Sequence, residues 1–359
     1  MNFLKALLFP ASVIYGAITF IRNKLYDWGI FPMEEYSSGV ISVGNLSSGG
    51  TGKTPMVEYL IELLQTDYSL ATLSRGYKRK TSGFYLADAS STALDVGDEP
   101  LQYKKKFTDL AVAVDANRKR GIKNLREQFP SLQIILLDDA FQHRSVKAGL
   151  SIVLTDYSKL FYTDTMLPSG TLREYASGIK RADIIVVSKT PINISPIEKR
   201  VIVKNINALE YQKIYFSHIV YDEIISVNET PIKIKNEKEC TVLMLTGIAK
   251  PEPLQNYLIS KYKEVVPLIF PDHHTFTAEN LTAITSSFDA IENTNKIIIT
   301  TEKDWMRLQK NDLEDMVKKL PLFYVPIKTD FNEKDKNEIN PQIINYVRTN
   351  KSNNRLHKK

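Results

Sequence analysis

A glycine-rich loop between an apolar strand and a helix constrains the fold more than any other segment of the chain. The apolar run 40–43 is followed by GNLSSGGTGKT at 44–54, and a helical pattern begins directly after it. Glycines let backbone N–H groups turn inward around phosphate oxygens, and the N-terminus of the helix adds partial positive charge. Ser47 stands where the generic pattern has a glycine. The GGTGKT core nevertheless favours a nucleotide-binding loop over a glycine-rich turn without nucleotide.

The residue types of this loop assign roles to individual positions. Lys53 would reach the β- and γ-phosphates of a nucleotide, and the Thr54 hydroxyl would be offered to Mg²⁺. The predicted nucleotide contacts are Ser47, Ser48, Gly49, Gly50, Thr51, Gly52, Lys53 and Thr54.

The segment from Ala6 to Ile21 is free of charge and strongly apolar, and it is shorter than the ~20 apolar residues that span a bilayer. One helical face collects apolar residues, namely Leu4, Leu7, Ala11, Ile14, Ile18, Ile21 and Leu25. The other face carries Ser12, Gly16, Thr19 and Asn23. This asymmetry favours a helix that lies in a membrane interface. The alternatives are a signal peptide and a core helix packed on its own domain.

Short apolar runs that alternate with helical patterns fill the rest of the chain in two sets. Runs such as 70–73, 134–137 and 184–187 belong to the first set, and 242–245 and 297–300 belong to the second. Such alternation predicts a parallel sheet with both faces covered. The sequence therefore predicts an α/β protein: a P-loop NTPase-like, mostly parallel sheet with helices on both faces, a second smaller α/β domain and an N-terminal amphipathic helix.

Changes in composition suggest where these units begin and end. The segment between the two sets is polar and β-prone, with Asn228-Glu229 as a candidate turn, so we interpret it as a linker with a hairpin. The predicted order is the membrane-associating helix at 1–30, a P-loop core at 31–214, the linker hairpin at 215–238, the second α/β domain at 239–347 and a basic, frayed tail at 348–359.

Length and composition exclude several classes of protein. The chain has 359 residues, 43 % hydrophobic and 25 % charged, which is typical of a globular protein of about two domains. A disordered chain, a collagen-like chain and a polytopic membrane protein are excluded. The net charge of +6 fits phosphate, anionic lipid or nucleic acid and does not choose among them. Cys240 is the one cysteine, so no internal disulfide can form, and we interpret it as a core residue.

Two acids end an apolar run, as the metal site of a nucleotide loop requires. The run 134–137 leads directly into Asp138 and Asp139, at the strand edge where sites of α/β proteins form. Either carboxylate could hold Mg²⁺, directly or through water, and a helix N-cap is the alternative role. Gln142 and His143 follow and are expected to point into the same site.

Two further clusters supply acids and a cation. Asp98 and Glu99 precede Pro100, which predicts a helix N-terminus whose dipole keeps the acids ionised and exposed toward a ligand. Arg173 falls in the loop LPSGTLRE, where it could neutralise phosphate charge.

A pair of histidines, His273 and His274, follows Asp272 at the end of a predicted strand. No cysteine or carboxylate set at ligand spacing accompanies the pair, which argues against zinc. A histidine that partners a carboxylate across the cleft between the two units is favoured, and a structural pair is the alternative.

The ordered set of motifs resembles the tetraacyldisaccharide 4'-kinases, the lipid A 4'-kinase family. The matching stretches are SVGN (42–45), GGTGKTP (49–55), SRGY (74–77), GDEP (97–100), DDAFQH (138–143), LRE (172–174), DHH (272–274) and TEKD (301–304). The loop alone is generic, whereas the set in this order is highly specific. Ala140 departs from the family, which usually has glycine at that position.

The resemblance implies the reaction, the cofactors and the catalytic residues. ATP, with Mg²⁺, would give its γ-phosphate to the 4'-hydroxyl of tetraacyldisaccharide 1-phosphate, forming lipid IVA. Asp98 would accept the hydroxyl proton and His273 would orient Asp98, with Lys53 and Arg173 completing the catalytic set.

The resemblance also implies metal ligands, acceptor contacts and partners. The metal ligands would be drawn from Thr54, Asp138, Asp139 and Glu174. The acceptor contacts would be Arg75, Glu99, Gln142, His143 and Arg118. For Arg75 and Arg118 a solvated surface position is the alternative. The expected protein is a monomer that binds a lipid substrate, no nucleic acid, and the cytoplasmic face of the inner membrane through its N-terminal helix.

Two other classes of protein remain as alternatives. A membrane-bound nucleotide switch of the deviant-loop ATPase type carries a second lysine near the start of the loop, where this chain has Ser48. A nucleic-acid-binding NTPase would need a basic stripe interleaved with aromatic residues, which the sequence lacks.

Overall fold

The computed structural model of the chain describes residues 3–228, 236–272, 274–309, 313 and 317–356. The strands in these residues are β1 (Glu34–Asn45), β2 (Leu70–Ser74), β3 (Tyr85–Leu86), β4 (Ala111–Val114), β5 (Ile134–Asp138), β6 (Val146–Asp156), β7 (Ile184–Ser188), β8 (Lys213–Tyr221), β9 (Ile225–Ser226), β10 (Thr241–Thr246), β11 (Glu264–Ile269), β12 (Lys296–Thr301), β13 (Leu322–Val325) and β14 (Ile327–Phe331). The helices are α1 (Phe3–Asp27), α2 (Lys53–Leu64), α3 (Ala93–Val96), α4 (Asp98–Lys106), α5 (Arg118–Gln128), α6 (Pro196–Ile206), α7 (Glu252–Lys261), α8 (Ala278–Asp289), α9 (Glu302–Leu308) and α10 (Glu333–Leu356).

The larger sheet has the strand order β14-β8-β7-β6-β1-β5-β2-β4-β3. The strands from β8 to β4 run parallel, and β14 and β3 pair antiparallel at the two edges. Val43 of β1 lies opposite Asp138 of β5, so the glycine-rich loop and the acidic pair leave the sheet side by side. The predicted α/β fold with a mostly parallel sheet is confirmed.

Apolar side chains alternate between the two faces of this sheet, because successive residues of a strand point to opposite sides. On one face Ile41 and Val43 pack against α2, α4 and α10. On the other face Val40 packs with residues of α5, while Val153 and Val187 pack with residues of α1 and α6. Helices therefore cover both faces, as the continuous apolar strands predict.

The second unit is built on the sheet β11-β10-β12-β13-β9, in which only β9 pairs antiparallel among the described strands. Cys240 is fully buried beside β10, which confirms its interpretation as a core residue. Apolar residues of this unit, including Leu243 and Phe276, belong to the same continuous core as α2 and α10.

The chain crosses between the two units at positions that differ from the predicted boundaries. The predicted linker hairpin at 215–238 contains most of β8, which joins the first sheet, and β9, which joins the second; residues 229–235 lie outside the described part. The predicted second domain at 239–347 contains β14 and much of α10, which return to the first sheet. The predicted frayed tail begins inside α10, which continues to Leu356. Pairing with a distant edge strand leaves no local sequence pattern, so composition misplaces these boundaries.

Helix α1 turns its apolar face away from the protein. Four apolar side chains of this face are between 56 % and 66 % exposed, namely Leu7, Ile14, Ile18 and Ile21. The opposite face packs through polar contacts: the backbone N–H of Ser169 donates to Ser12 Oγ at 2.9 Å, and the Tyr15 hydroxyl donates to the carbonyl of Arg173 at 3.1 Å. A core helix would bury its apolar side instead. Among the described residues, no helix has both the length and the apolar character needed to cross a bilayer.

Gln102 of α4 bridges two buried carboxylates, one from each unit. Its Nε2 donates to Glu58 Oε1 of α2 at 2.8 Å and to Glu302 Oε2 of α9 at 3.0 Å. Lys106 lies 2.6 Å from Glu58 and supplies a single positive charge to the two acids. Burial, with the Glu58 charge adding to it, raises the pKa of Glu302 to about 7. This contact between the units is therefore sensitive to pH.

Glu302→Gln should change how the stability of the protein depends on pH. The folded protein binds a proton on Glu302 up to about pH 7, whereas the unfolded chain releases it near the ordinary pKa of ~4.3. Stability therefore falls as pH rises through this range, by about 1.4 kcal/mol for each unit of pKa difference. We expect Glu302→Gln to melt at a higher temperature than the parent at pH 8 and to lose that advantage near pH 5, as measured by thermal unfolding.

Glu127→Gln, on an exposed position of α5, is the control and should shift melting equally little at both pH values. A Glu302→Gln protein that melts lower than the parent at pH 8 would show that the ionised carboxylate stabilises the contact.

Candidate active site

The glycine-rich loop runs from the end of β1 to the first residue of α2, as predicted. Gly49 and Gly52 have φ values of 111° and 84°, a backbone conformation that favours glycine. Asn45 Nδ2 donates to Thr51 Oγ1 at 2.8 Å, and Ser188 Oγ at the end of β7 donates to the carbonyl of Thr51 at 2.7 Å. These two hydrogen bonds fix the loop at Thr51.

The segment that carries Arg173 lies along the outside of this loop. The backbone N–H of Ser48 donates to the carbonyl of Thr171 at 2.7 Å, and the N–H of Arg173 donates to the carbonyl of Leu46 at 2.8 Å. These two bonds fix the position of Arg173 beside the loop, where the sequence predicts a cation for phosphate charge.

Asp139 binds both cations at the mouth of the loop. Lys53 Nζ lies 3.3 Å from its Oδ1, and Arg173 Nη1 donates to both carboxylate oxygens at 3.0 and 2.9 Å. Burial would raise the pKa of Asp139, but Lys53 and Arg173 outweigh it and hold that pKa below its ordinary value. Asp139 is therefore the ionised counter-ion of two basic side chains.

Asp138 has a different environment, although it is adjacent in sequence. Its Oδ2 accepts hydrogen bonds from the Tyr103 hydroxyl at 3.2 Å and from Ser74 Oγ at 3.4 Å. Its Oδ1 is buried without a hydrogen-bond partner among the described residues. Burial, with the charge of Asp139 adding to it, raises the pKa of Asp138 to about 6. A buried carboxylate oxygen without a partner is unfavourable unless a cation or water meets it.

The residues around Asp138 fit Mg²⁺. The unpartnered Oδ1 is a hard oxygen donor, and Tyr103, whose hydroxyl donates to the other oxygen of Asp138, also has Thr54 beside it. Among the described residues, no group of three or more His, Cys, Asp and Glu could enclose a metal. Mg²⁺ is commonly held by one or two carboxylates together with substrate phosphates, which matches so small a ligand set.

Glu174, a predicted metal ligand, is engaged by side chains of this chain at both carboxylate oxygens. Arg181 Nη2 donates to both of its carboxylate oxygens at 2.9 and 2.8 Å, and Asn23 Nδ2 and Gln142 Nε2 add bonds of 2.8 and 3.0 Å. The side chain is buried and both oxygens are occupied. Glu174 connects α1, through Asn23, to the loop that carries Gln142.

The basic side chains predicted to contact the acceptor lie on one side of the acidic pair. Arg75 is exposed at the end of β2. Arg118 is 2 % exposed and its Nη2 donates to the backbone carbonyl of Asp138 at 3.3 Å, so the solvated-surface alternative for Arg118 is wrong. Burial lowers the pKa of His143 to about 4, and the charges of Arg118, Arg22 and Arg75 add to this effect. A neutral histidine among arginines suits an anionic ligand.

Asp98 and Glu99 begin α4, as predicted, and both face the second unit. Arg307 Nε of α9 donates to Asp98 Oδ2 at 3.0 Å, and Lys303 Nζ lies 2.8 Å from Glu99 Oε1. His273, the predicted partner of Asp98, lies outside the described residues, and their pairing stays a prediction.

His274, the other histidine of the motif, has structural contacts. Its Nε2 lies 2.9 Å from Asn280 Oδ1, and its ring stacks on Phe270 and meets the ring of Phe276 edge-on.

Three residues that connect these groups are absent from the set predicted from the sequence: Gln102, Tyr103 and Arg307. Gln102 and Tyr103 follow the GDEP motif by one helical turn, and Arg307 follows TEKD by three residues. Helical spacing from each motif could have placed them near the site, although no local pattern reveals their partners.

A comparison of Asp138→Asn with Glu174→Gln should show which of these two acids binds Mg²⁺. We expect Asp138→Asn to raise the Mg²⁺ concentration for half-maximal ATP turnover at least about tenfold, because the Oδ1 charge is lost. Glu174→Gln should leave that concentration unchanged, and Asp222→Asn, a surface acid paired with Lys328, is the control. Equal shifts in the Asp138 and Glu174 variants would show that Glu174 is a ligand as well.

Comparison with known proteins places the chain in one family. A model of the tetraacyldisaccharide-1-P 4'-kinase family matches residues 4–346. The tetraacyldisaccharide 4'-kinase of Flavobacterium psychrophilum is 47 % identical over 355 residues, covering 98 % of this chain and 100 % of the relative. That of Bacteroides thetaiotaomicron is 43 % identical, covering 96 % and 94 %. The crystal structure of Aquifex aeolicus LpxK, described as an "apo" form in complex with ATP, has a TM-score of 0.73 at 28 % identity and covers 96 % of this chain and 99 % of that one. With its loop, its acidic pair and nearly its whole length matched, this chain belongs to the tetraacyldisaccharide 4'-kinase family.

Proposed function

We propose that this chain transfers the γ-phosphate of ATP to the 4'-hydroxyl of tetraacyldisaccharide 1-phosphate, forming lipid IVA. The observation that carries the proposal is the pairing of Lys53 and Arg173 on Asp139 at the mouth of the loop. Lys53 and Arg173 are two positive charges that can meet the phosphate oxygens of the transferred group. Phosphoryl transfer depends mainly on such positioning and charge stabilisation. Membership in the kinase family supports the same reaction.

The nucleotide side of the site has a role for each group. Backbone N–H groups of the loop 47–52 would surround the phosphates, and Lys53 would contact the β- and γ-phosphates. Thr54 and Asp138 would hold Mg²⁺, which when bound neutralises charge on the phosphate oxygens. The Tyr103 hydroxyl holds Asp138 Oδ2, which leaves Oδ1 for the ion.

Asp98 is the proposed general base for the 4'-hydroxyl. It is the first residue of α4 and lies at the positive end of the helix dipole. The same helix carries Tyr103, which contacts Asp138, so one rigid element sets the spacing between the base and the metal carboxylate. His273 remains the predicted residue that orients Asp98.

The acceptor's 1-phosphate fits the basic side of the site. Arg75 is exposed there, near the neutral His143. Gln142 and Glu99 stay predicted acceptor contacts. Arg118 is buried under the backbone of Asp138, so we assign it to positioning the metal carboxylate and not to acceptor contact.

Transfer of label from γ-labelled ATP to tetraacyldisaccharide 1-phosphate in detergent micelles tests the proposal. We expect labelled lipid with the parent chain and a loss of about 10²–10⁴-fold in turnover with Asp98→Asn, the range of general-base contributions. Asp222→Asn, a surface acid, should keep the parent rate. Lipid-stimulated ATP hydrolysis without labelled lipid would favour the nucleotide switch. Turnover of Asp98→Asn close to the parent would remove Asp98 as the base.

We also propose that the chain works as a monomer attached to the cytoplasmic face of the inner membrane through α1. The outward apolar face of α1 supports attachment to a membrane, because exposing apolar side chains to water is unfavourable and burying them in lipid removes that cost. Tyr15 of this helix contacts Arg173, so attachment would place the membrane next to the phosphate site.

Ile14→Asn combined with Ile18→Asn should release the chain from membranes without stopping catalysis. Both side chains are more than half exposed, so the fold should tolerate the change. Burial of each contributes up to ~1.5–3 kcal/mol, so vesicle binding should weaken at least about tenfold. Flotation with phospholipid vesicles measures the effect, and Ile259→Asn on α7, 56 % exposed, is the matched control. Equal flotation of both variants would contradict attachment through α1.

A further inference from the structure

One guanidinium joins the second unit to the acid at the start of α4. Arg307 of α9 is 5 % exposed, and its Nε donates to Asp98 Oδ2 at 3.0 Å across a sequence separation of 209 residues. Its Nη1 donates at 3.0 Å to two further acceptors, the carbonyl of Gly247 and Asp304 Oδ1.

The second unit holds this guanidinium in a fixed orientation. Asp304 is fully buried, and its Oδ2 accepts the backbone N–H of Gly247 at 2.9 Å and the Thr301 hydroxyl at 2.8 Å. A Cβ on Gly247 would lie 3.1 Å from Asp304 Oδ1, so the turn after β10 approaches this carboxylate closely. A planar guanidinium fixed at one nitrogen by two acceptors points its Nε in a single direction.

The contact with Asp98 differs from an ordinary surface ion pair. The Lys303–Glu99 pair, on the neighbouring residue of α4, is 35 % and 25 % exposed at its two side chains, and such pairs contribute little. Arg307 in contrast is buried and has further partners in its own unit. It engages Oδ2 of Asp98, while no hydrogen bond from the described residues reaches Oδ1, and the Asp98 side chain is 25 % exposed. One oxygen is held and the other has no such bond.

We infer that Arg307 is a positioning residue for phosphoryl transfer: anchored by Asp304 and Gly247 in the second unit, it holds Asp98 Oδ2 so that Oδ1 faces the acceptor hydroxyl. The inference rests on the proposed role of Asp98 as the base. It also gives the second unit a direct part in catalysis, because the contact of Arg307 with Asp98 Oδ2 forms only when α9 lies against α4.

Steady-state kinetics of Arg307→Met and Arg307→Lys over a range of pH test the inference. Loss of orientation should lower kcat of Arg307→Met about 10²-fold, with KM for ATP and lipid little changed. The acid limb of its kcat profile should move to higher pH, because a carboxylate without its cation binds a proton more readily. Arg307→Lys should keep the parent acid limb and recover only part of kcat, because lysine offers a point charge on a flexible stem.

A double-mutant cycle and a control distinguish positioning from general stability. In the Asp98→Asn background, Arg307→Met should cost almost nothing further, because both changes remove the same contribution. Lys250→Met removes another cationic contact between the units, to Ser158 and Asp156, and should keep the parent pH profile. If thermal melting shows that Arg307→Met fails to fold, Arg307→Lys carries the comparison.

Three results would overturn the inference: additive losses in the cycle, a parent-like pH profile in Arg307→Met, or full kcat in Arg307→Lys. If Asp98→Asn itself retains the parent rate, the proposed base fails. An inactive Asp98→Asn beside a fully active Arg307→Met would reject only the role of Arg307.

Discussion

Two adjacent carboxylates at the end of β5 determine how the rest of the site is arranged. Side by side in a buried place they repel each other, so each needs its own partner. The positive φ of Asp139, 48°, turns the chain between them, and Asp139 meets Lys53 and Arg173 while Asp138 meets Tyr103 and Ser74. Asp139 is thus an ionised counter-ion, whereas Asp138 has one oxygen without a partner. Two side chains of the same type therefore have different chemical roles.

Helix α4 connects this acidic pair to the second unit. Within little more than one turn it presents Asp98 to Arg307, Gln102 to Glu302, and Tyr103 to Asp138. A shift of this helix would move the base and the support of the metal carboxylate together. The contacts of α4 therefore link the packing of the two units directly to the geometry of the reaction.

The sequence alone could predict those parts of the site that depend on neighbours in the chain. The glycine-rich loop, the acidic pair after β5 and the acids at the start of α4 are local patterns, and the structure places them as predicted. The contacts of Glu174 could not be predicted in this way, because only the folded chain brings Arg181 and Asn23 to it. The predicted boundaries of the units differ from the structure for a related reason: β14 pairs with β8, although the second unit lies between these two strands in the sequence.

The return of the chain to the first sheet has a consequence for its biosynthesis. The Tyr346 hydroxyl donates to the carbonyl of Val40, 306 residues earlier, and Ile339 and Ile343 of α10 are fully buried in the core shared with Ile41. At about 5–20 residues per second, roughly 15–60 s separate the emergence of β1 from that of the helix that covers it. During that time one face of the central strand lacks part of its apolar cover. The first sheet of the nascent chain is therefore incomplete while translation continues. This unit completes its core only after α10 has been translated.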